Sequence, residues 1–224
     1  FSVGELYQHG LAVEQNLTTA YKYFEKAAAS QHEEATKRAK VLKEIANYWN
    51  PAHKGNASAQ QMLGLCYLKG NGVDQDAVKA EEWLLKSANQ GYADGQYDLA
   101  TLYSKRSKSK ENERLVASWL IKASAGGHIE ATVKLGECYY NGVGVKEDYE
   151  KSVELWEKAI KAQNTDAMYF LGNHRFTGRG LFNFGKDVDK AIQLWTDASK
   201  AGHIDATFKL AEYYHEGVGL LSTG

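Results

Sequence analysis

The segment Ala59-Gln-Gln-Met-Leu-Gly-Leu-Cys-Tyr67 recurs at a fixed spacing along this chain of 224 residues. Counterparts begin at Gly95, Ala131 and Ala167, each 36 residues after the one before, since 95 − 59, 131 − 95 and 167 − 131 all equal 36. Another begins at Ala206, after 206 − 167 = 39 residues, so three residues are inserted on the way. Such a period is the signature of a repeat protein, in which each repeat packs on its neighbours.

The spacing within a repeat predicts two helices. Ala59, Leu63 and Tyr67 recur every four positions, which lines one face of a first helix. Two glycines follow, and glycine adopts the positive φ that ends a helix and reverses the chain. The pairs are Gly70 and Gly72, Gly142 and Gly144, Gly178 and Gly180, and Gly217 and Gly219.

A second helix is predicted after each turn. An Asn or Asp side chain, which is suited to cap a helix N-terminus, recurs at one aligned position. The five residues are Asn16, Asp76, Asn112, Asp148 and Asp187. This helix carries an aromatic residue, Phe24, Trp83, Trp119, Trp156 or Trp195, and usually stops at a glycine, Gly91, Gly127 or Gly202. Each repeat is therefore predicted to be a helical hairpin.

Several repeats depart from this pattern. Repeats begin near residues 1, 35, 59, 95, 131, 167 and 206, and the one at Ala35 has only 24 residues and no glycine turn. Its sequence is compatible with two helices fused into one or with a kink at Pro51. The repeat at Gly95 has Ser104-Lys-Arg-Ser-Lys-Ser-Lys110 in place of the glycine turn. Because the first repeat lacks the start of its first helix and the last lacks a second helix, we expect a segment of a longer protein.

The repeats resemble the Sel1-like repeats, which are relatives of the tetratricopeptide repeats. The residues that carry this resemblance are Leu63-Gly64, Tyr67, Gly70-Asn-Gly72-Val73, Asp76, Lys79-Ala80, Trp83 and Lys86-Ser-Ala88 through Gly91. They recur as Leu135-Gly136, Tyr139, Gly142-Val-Gly144-Val145 and Asp148. The resemblance implies an all-α fold in which residues 1–224 form a single right-handed solenoid superhelix of stacked helix-turn-helix repeats.

The charge balance excludes some classes of partner. The chain has 27 Lys and Arg against 28 Asp and Glu, a formal charge of −1, and so presents no broad cationic field for nucleic acid. No run of about 20 apolar residues is present, so no direct membrane span is predicted. The compartment stays open between the cytoplasm and the periplasm or another exported location.

The titratable residues do not suggest catalysis. The seven histidines form no compact metal-ligand motif, and His128 and His203 follow glycines in the turns between repeats. Cys66 and Cys138 are aligned two repeats apart, which is too far for a disulfide, so we predict buried free thiols. We predict no enzyme activity, no metal and no cofactor.

The resemblance to tetratricopeptide repeats places the first helices along a concave groove. Tyr97, Tyr169 and Phe208 share one position there, and aromatic side chains supply large, rigid contact areas. The same position can instead pack against the neighbouring repeat, an alternative that the sequence leaves open. Predicted groove residues are Leu65, Leu68, Tyr97, Thr101, Glu137, Tyr140, Tyr169, Asn173, Phe176, Phe208 and Glu212, with Gln61 and Val133 at the position of Tyr97.

These residues suggest a non-catalytic scaffold or adaptor that binds a protein or peptide partner in the groove. Phe182 and Phe184, in the inserted loop, are a possible accessory contact, although they can also fold onto the solenoid. Because aromatic rings also stack on sugars, the alternative is a glycan- or cell-envelope-binding module of an exported bacterial protein.

Overall fold

The computed structural model describes residues 2–106, 108–179 and 186–215, and within these ranges it contains twelve α-helices and no strand. Phe182 and Phe184 lie outside these ranges. The helices, numbered in chain order, are α1 (Val3–His9), α2 (Leu17–Ala28), α3 (Glu33–His53), α4 (Ala57–Lys69), α5 (Ala77–Asn89), α6 (Ala93–Ser104), α7 (Lys110–Ala125), α8 (Ile129–Asn141), α9 (Tyr149–Lys161), α10 (Thr165–Thr177), α11 (Val188–Lys200) and α12 (Ile204–His215).

The chain divides into two compact units, an N-terminal unit of Phe1–Arg106 and a C-terminal unit of Ser107–Gly224. In the N-terminal unit α1 packs on α2 and α4 packs on α5, with α3 between these hairpins. In the C-terminal unit α8 packs on α9 and α10 on α11. First helices of consecutive repeats also contact each other, α4 with α6 and α8 with α10. The predicted helical hairpins are thus confirmed for α1–α2, α4–α5, α8–α9 and α10–α11.

The glycine turns end the first helices as expected where the structure describes them, whereas Gly180, Gly217 and Gly219 lie outside the described residues. Gly142 and Gly144 have φ values of 66° and 72°, in the left-handed region that favours glycine. Gly144 also packs directly on α7, because a Cβ atom added to it would run into the carbonyl oxygen of Glu113. This turn therefore needs glycine both for its conformation and for its packing.

The predicted caps of the second helices are confirmed at four positions and wrong at one. Asn16, Asp76, Asp148 and Asp187 each accept hydrogen bonds from backbone N–H groups of the first turn. Asn112 lies inside α7 instead, and its own N–H donates to the side chain of Ser109, the N-cap. Without a glycine turn before it, this helix begins about one turn earlier than the aligned position.

The short repeat at Ala35 is one fused helix. His32 accepts a hydrogen bond from Ala35 N–H, which caps α3 in the way that His128 caps α8. The helix continues through Pro51 and is followed by Gly55, which has a φ of 92°. Of the two alternatives compatible with the sequence, the structure has the fused helix.

The second helices of two C-terminal hairpins each place a tryptophan over a first-helix glycine. A Cβ atom added to Gly136 would lie 2.5 Å from Nε1 of Trp156, and one added to Gly172 would lie 2.5 Å from Nε1 of Trp195. Both indoles are only 1% exposed, so these pairs form the centre of their hairpins. The absence of a side chain at the glycine lets the two helices approach closely.

In the hairpin α4–α5 a leucine, instead of a tryptophan, packs over the first-helix glycine. Leu84 lies over Gly64, and Trp83, one residue earlier, lies at the side of the hairpin, where Lys86 Nζ is 4.1 Å from its ring centroid. The aromatic residues of the second helices therefore occupy two positions rather than one. Their shared presence in the sequence does not imply a shared contact.

Candidate functional site

One position of the first helices is half-buried in every repeat in which it was predicted to face the groove. It lies six residues after the repeat start and is defined here as the first-helix strip. In the N-terminal unit it is Leu65 and Thr101, and in the C-terminal unit it is Glu137, Asn173 and Glu212. Four of the five side chains are polar, although a position used only for packing would favour apolar side chains.

Glu137 on α8 and Asn173 on α10 are the most informative members of the strip. Within the described part of the chain, neither side chain forms a hydrogen bond or an ion pair, although both are half-buried and their helices are in contact. Burial raises the pKa of Glu137; Lys134 opposes this increase and the negative charge of Asp166 adds to it. A partly desolvated carboxylate without a donor is stabilised by any partner that supplies one.

Tyr169 connects the strip to the start of the next repeat. Its ring stacks on the imidazole of His203, with 4.9 Å between the centroids and 22° between the planes. His203 Nε2 lies 3.1 Å from an oxygen of Asp166, and its Nδ1 accepts the backbone N–H of Ala206. Tyr169 also packs against the core around Trp195, as Phe176 does. The half-buried tyrosine is therefore held in place by its neighbours and is not fully covered.

The position of Tyr169 differs in exposure from repeat to repeat. Tyr97 is half-buried and Phe208 is 62% exposed, but Gln61 and Val133 are buried. Gln61 donates from Nε2 to Asp98 at 2.5 Å, and so joins α4 to α6. The prediction that Gln61 and Val133 face the groove is wrong, because both side chains are used between helices.

Three further predicted groove residues pack within the units. The Tyr140 ring lies 5.5 Å from Trp156 and 5.7 Å from His174, measured between centroids. Phe176 lies 5.2 Å from Trp195, and Leu68 packs against the core of the N-terminal unit. Since these side chains join neighbouring helices, we exclude them from the contact residues that we propose.

His174 is a buried residue that the sequence analysis did not single out. It is 1% exposed, and neither ring nitrogen has a hydrogen-bond partner in the described structure. Burial lowers the pKa of His174, and the positive charge of Arg175 lowers it further. It occupies the same aligned position as Cys66 and Cys138. The only signal in the sequence is that this position is a histidine in one repeat and a cysteine in the two others.

The two cysteines are free thiols, as predicted, and lie in different units. Cys66 is buried and Cys138 is half-buried. Burial raises the pKa of each thiol to about 11, so both stay protonated near neutral pH. A protonated thiol is a poor nucleophile, which argues against a catalytic role for either.

No set of three or more His, Cys, Asp and Glu side chains among the described residues could hold a metal ion. Likewise, none of the helices in these residues is both long enough and apolar enough to cross a membrane.

The hairpins, their glycine turns and their stacking define the chain as a helical-repeat protein. The Sel1 repeat pattern matches residues 1–32, 57–92, 93–128, 129–164, 165–203 and 204–222, so the chain belongs to the Sel1 repeat family. Proteins of this family are generally protein-interaction scaffolds. The match omits residues 33–56, where the fused helix α3 lies. A comparison with curated proteins gives no match.

Solved structures of similar proteins confirm the predicted all-α solenoid class. The chain is 28% identical to a protective antigen of uropathogenic Escherichia coli strains that displays an SLR fold, with a TM-score of 0.68. That match covers 96% of this chain and 48% of the antigen, so the chain spans about half the antigen's length. A Sel1 repeat protein from Oxalobacter formigenes is 26% identical, with 95% and 76% of the two chains covered and a TM-score of 0.66.

Proposed function

We propose that this protein is a non-catalytic scaffold that binds a polypeptide partner along the first-helix strip. The observation that carries the proposal is the pair Glu137 and Asn173, whose hydrogen-bonding groups are half-buried and unused on two adjacent first helices. A partner that donates hydrogen bonds to the carboxylate and to the amide oxygen would compensate for their partial desolvation.

The neighbours of this pair favour a partner with donor groups and an apolar side chain. Tyr169 supplies a pre-positioned aromatic surface beside Asn173, and Glu212 extends the strip onto α12. A rigid aromatic side chain next to desolvated polar groups is a common composition of binding hot spots. Phe208 belongs to the same proposed contact. In the N-terminal unit, taken by itself, Leu65, Tyr97 and Thr101 are the proposed contact residues.

The proposal is tested by affinity capture from a lysate of the source organism with the Glu137→Ala/Asn173→Ala double variant. The matched control is Glu154→Ala/Gln193→Ala, which removes the same chemical groups from exposed positions on the second helices α9 and α11. We expect a partner that binds the original chain and the control but is lost from the strip variant, with all three chains equally helical by circular dichroism.

Two outcomes would contradict this function. A partner that binds the strip variant and the original chain equally would place the contact elsewhere. Binding to a purified polysaccharide that depends on Tyr169 and Phe208, with no polypeptide captured, would instead favour the glycan-binding class.

A further inference from the structure

The fused helix α3 leaves a cavity of about 490 Å³ in the N-terminal unit. One wall is formed by the turn between α1 and α2, including His9 and Gln15, and the other by the turn between α4 and α5, from Gly70 to Asp76. Val41 of α3 also lines it, and its side chain is 60% exposed. The volume is within the range of about 300–1,000 Å³ that is usual for ligand sites.

The cavity lies beside α3, which has no turn of its own. The flanking hairpins each have one, and the α4–α5 turn packs directly on α3, where a Cβ atom added to Gly72 would lie 2.9 Å from Val41 O. A repeat of full length would place a third turn between the two walls, since it has 36 − 24 = 12 more residues. We attribute the position of the cavity to this missing turn.

The lining is rich in hydrogen-bond acceptors. Gln15 donates from Nε2 to Gln8 O and Gln75 donates from Nε2 to Leu68 O, both at 2.8 Å. Each of these bonds uses one of the two N–H donors of the amide nitrogen, and each amide oxygen remains as an acceptor. Asp74 is exposed and forms no ion pair or hydrogen bond within the described structure. The carboxylate of Asp74 and the two amide oxygens can therefore accept hydrogen bonds from a ligand that is a donor.

The charge of the lining and its apolar residues further restrict the class of ligand that fits the cavity. Asp74 and Asp76 against Lys79 give the carboxylates and the ammonium of the lining a formal charge of −2 + 1 = −1. Lys79 Nζ is 3.8 Å from a carboxylate oxygen of Asp76, so Asp74 is the carboxylate without a cation. The apolar side chains of Val41, Leu17 and Tyr67 also line the cavity and suit an aliphatic stem.

We propose that this cavity binds an arginine side chain of a partner polypeptide. The guanidinium group offers five N–H donors in one plane and sheds water more readily than an ammonium group. Its stem would lie on Val41 while its donors reach Asp74 and the amide oxygens of Gln15 and Gln75. No residue of the first-helix strip lines this cavity, so failure of one proposed contact would not contradict the other.

The test is an NMR titration of the full chain, labelled with nitrogen-15, with N-acetyl-arginine amide as the probe. N-acetyl-citrulline amide, which has nearly the same shape without the charge, is the matched ligand. We expect amide shifts within residues 8–17 and 70–79 and at Val41 with the arginine probe, and weaker binding by citrulline. Asp74→Asn should weaken arginine binding about 3- to 5-fold, the usual scale of an exposed ion pair.

Further variants separate a specific site from general charge attraction. Val41→Trp, at an exposed position, should fill the cavity and remove the shifts without loss of helicity. Glu150→Gln removes one negative charge from an exposed position on α9, as Asp74→Asn does at the cavity, and should leave arginine binding unchanged. The Glu137→Ala/Asn173→Ala variant should also leave arginine binding unchanged. No shifts at these residues, equal binding of citrulline, or equal loss with Glu150→Gln would overturn the proposal.

Discussion

The fused helix α3 and the hairpin α8–α9 begin alike and then take different paths. Each follows a histidine cap, His32 or His128, yet α3 continues as a helix whereas α8 ends at a turn that includes Gly142 and Gly144. The turn, rather than the ends of the repeat, therefore creates the hairpin. Where the turn is missing, the connections of α3 to α2 and to α4 are kept, and an open space lies beside α3.

The largest expected effect is at the turn of the complete hairpin. Gly144→Ala should lower the free energy of unfolding by about 3–5 kcal/mol, because it adds a left-handed alanine and a collision with Glu113 O. Chemical denaturation monitored by circular dichroism measures this change. Gly142→Ala is the control, since its Cβ would come no closer than 3.5 Å to its neighbours, and it should cost about 1–2 kcal/mol. Equal losses would show that the contact with α7 adds nothing.

The fused helix should respond in the opposite direction. Pro51→Ala should raise the free energy of unfolding by about 1–3 kcal/mol, because alanine restores a backbone donor inside α3 and removes the ring from the helix. Pro51 is exposed, so little packing is lost. Lys43→Ala, at another exposed position of α3, should change stability by less than about 0.5 kcal/mol. Destabilisation by Pro51→Ala would mean that proline sets the end of the helix.

The surroundings of α3 and those of α10 in the C-terminal unit also differ in how polar groups are satisfied. Along α3, Thr18 Oγ1 donates to Ala46 O at 2.6 Å and Asn16 Nδ2 donates to Asn50 Oδ1 at 3.3 Å. In the C-terminal unit His174 is buried, and neither of its ring nitrogens has a hydrogen-bond partner within the described structure. His174→Leu should therefore raise the free energy of unfolding by about 1–2 kcal/mol at pH 7, since leucine fills a similar space without polar atoms.

The pH dependence separates this explanation from a simple packing gain. Burial lowers the pKa of His174, so below the usual histidine value of about 6.5 the unfolded chain takes up this proton before the folded chain does. Stability from this residue is then lost as the pH falls, by at most about 1.4 kcal/mol per pH unit. The advantage of His174→Leu should thus grow between pH 7.5 and pH 5.5. A constant difference across this range would contradict the assignment.

Features set by short-range spacing could be predicted from the sequence. The glycine turns, four of the five predicted second-helix caps and the hairpins depend on residues within one repeat, and the repetition makes each pattern visible several times. The prediction that Asn112 caps a helix was wrong because its repeat lacks the glycine turn that fixes where the next helix begins. The structure of the repeat at Ala35 could not be decided from the sequence, since its 24 residues are compatible with two helices fused into one or with a kink at Pro51.

The groove residues were harder to predict because the spacing gives a helix face but not the neighbour that covers it. Tyr140 and Phe176 have the spacing of exposed aromatic residues, yet tryptophans of the second helices pack against them. Glu137 and Asn173 were identified by position, whereas their unused hydrogen-bonding groups became apparent only in three dimensions. The cavity beside α3 has no sequence signal except the shortened repeat.

The tryptophans over the first-helix glycines also make the chain its own optical reporter. Trp156 and Trp195 are buried in the C-terminal unit, whereas Trp83 in the N-terminal unit is half-buried beside Lys86. Buried indoles emit at shorter wavelengths and are shielded from aqueous quenchers. Trp49 and Trp119 are buried as well, so a chain that keeps only Trp156 and Trp195 would be needed for intrinsic fluorescence to follow the opening of the α8–α9 and α10–α11 hairpins.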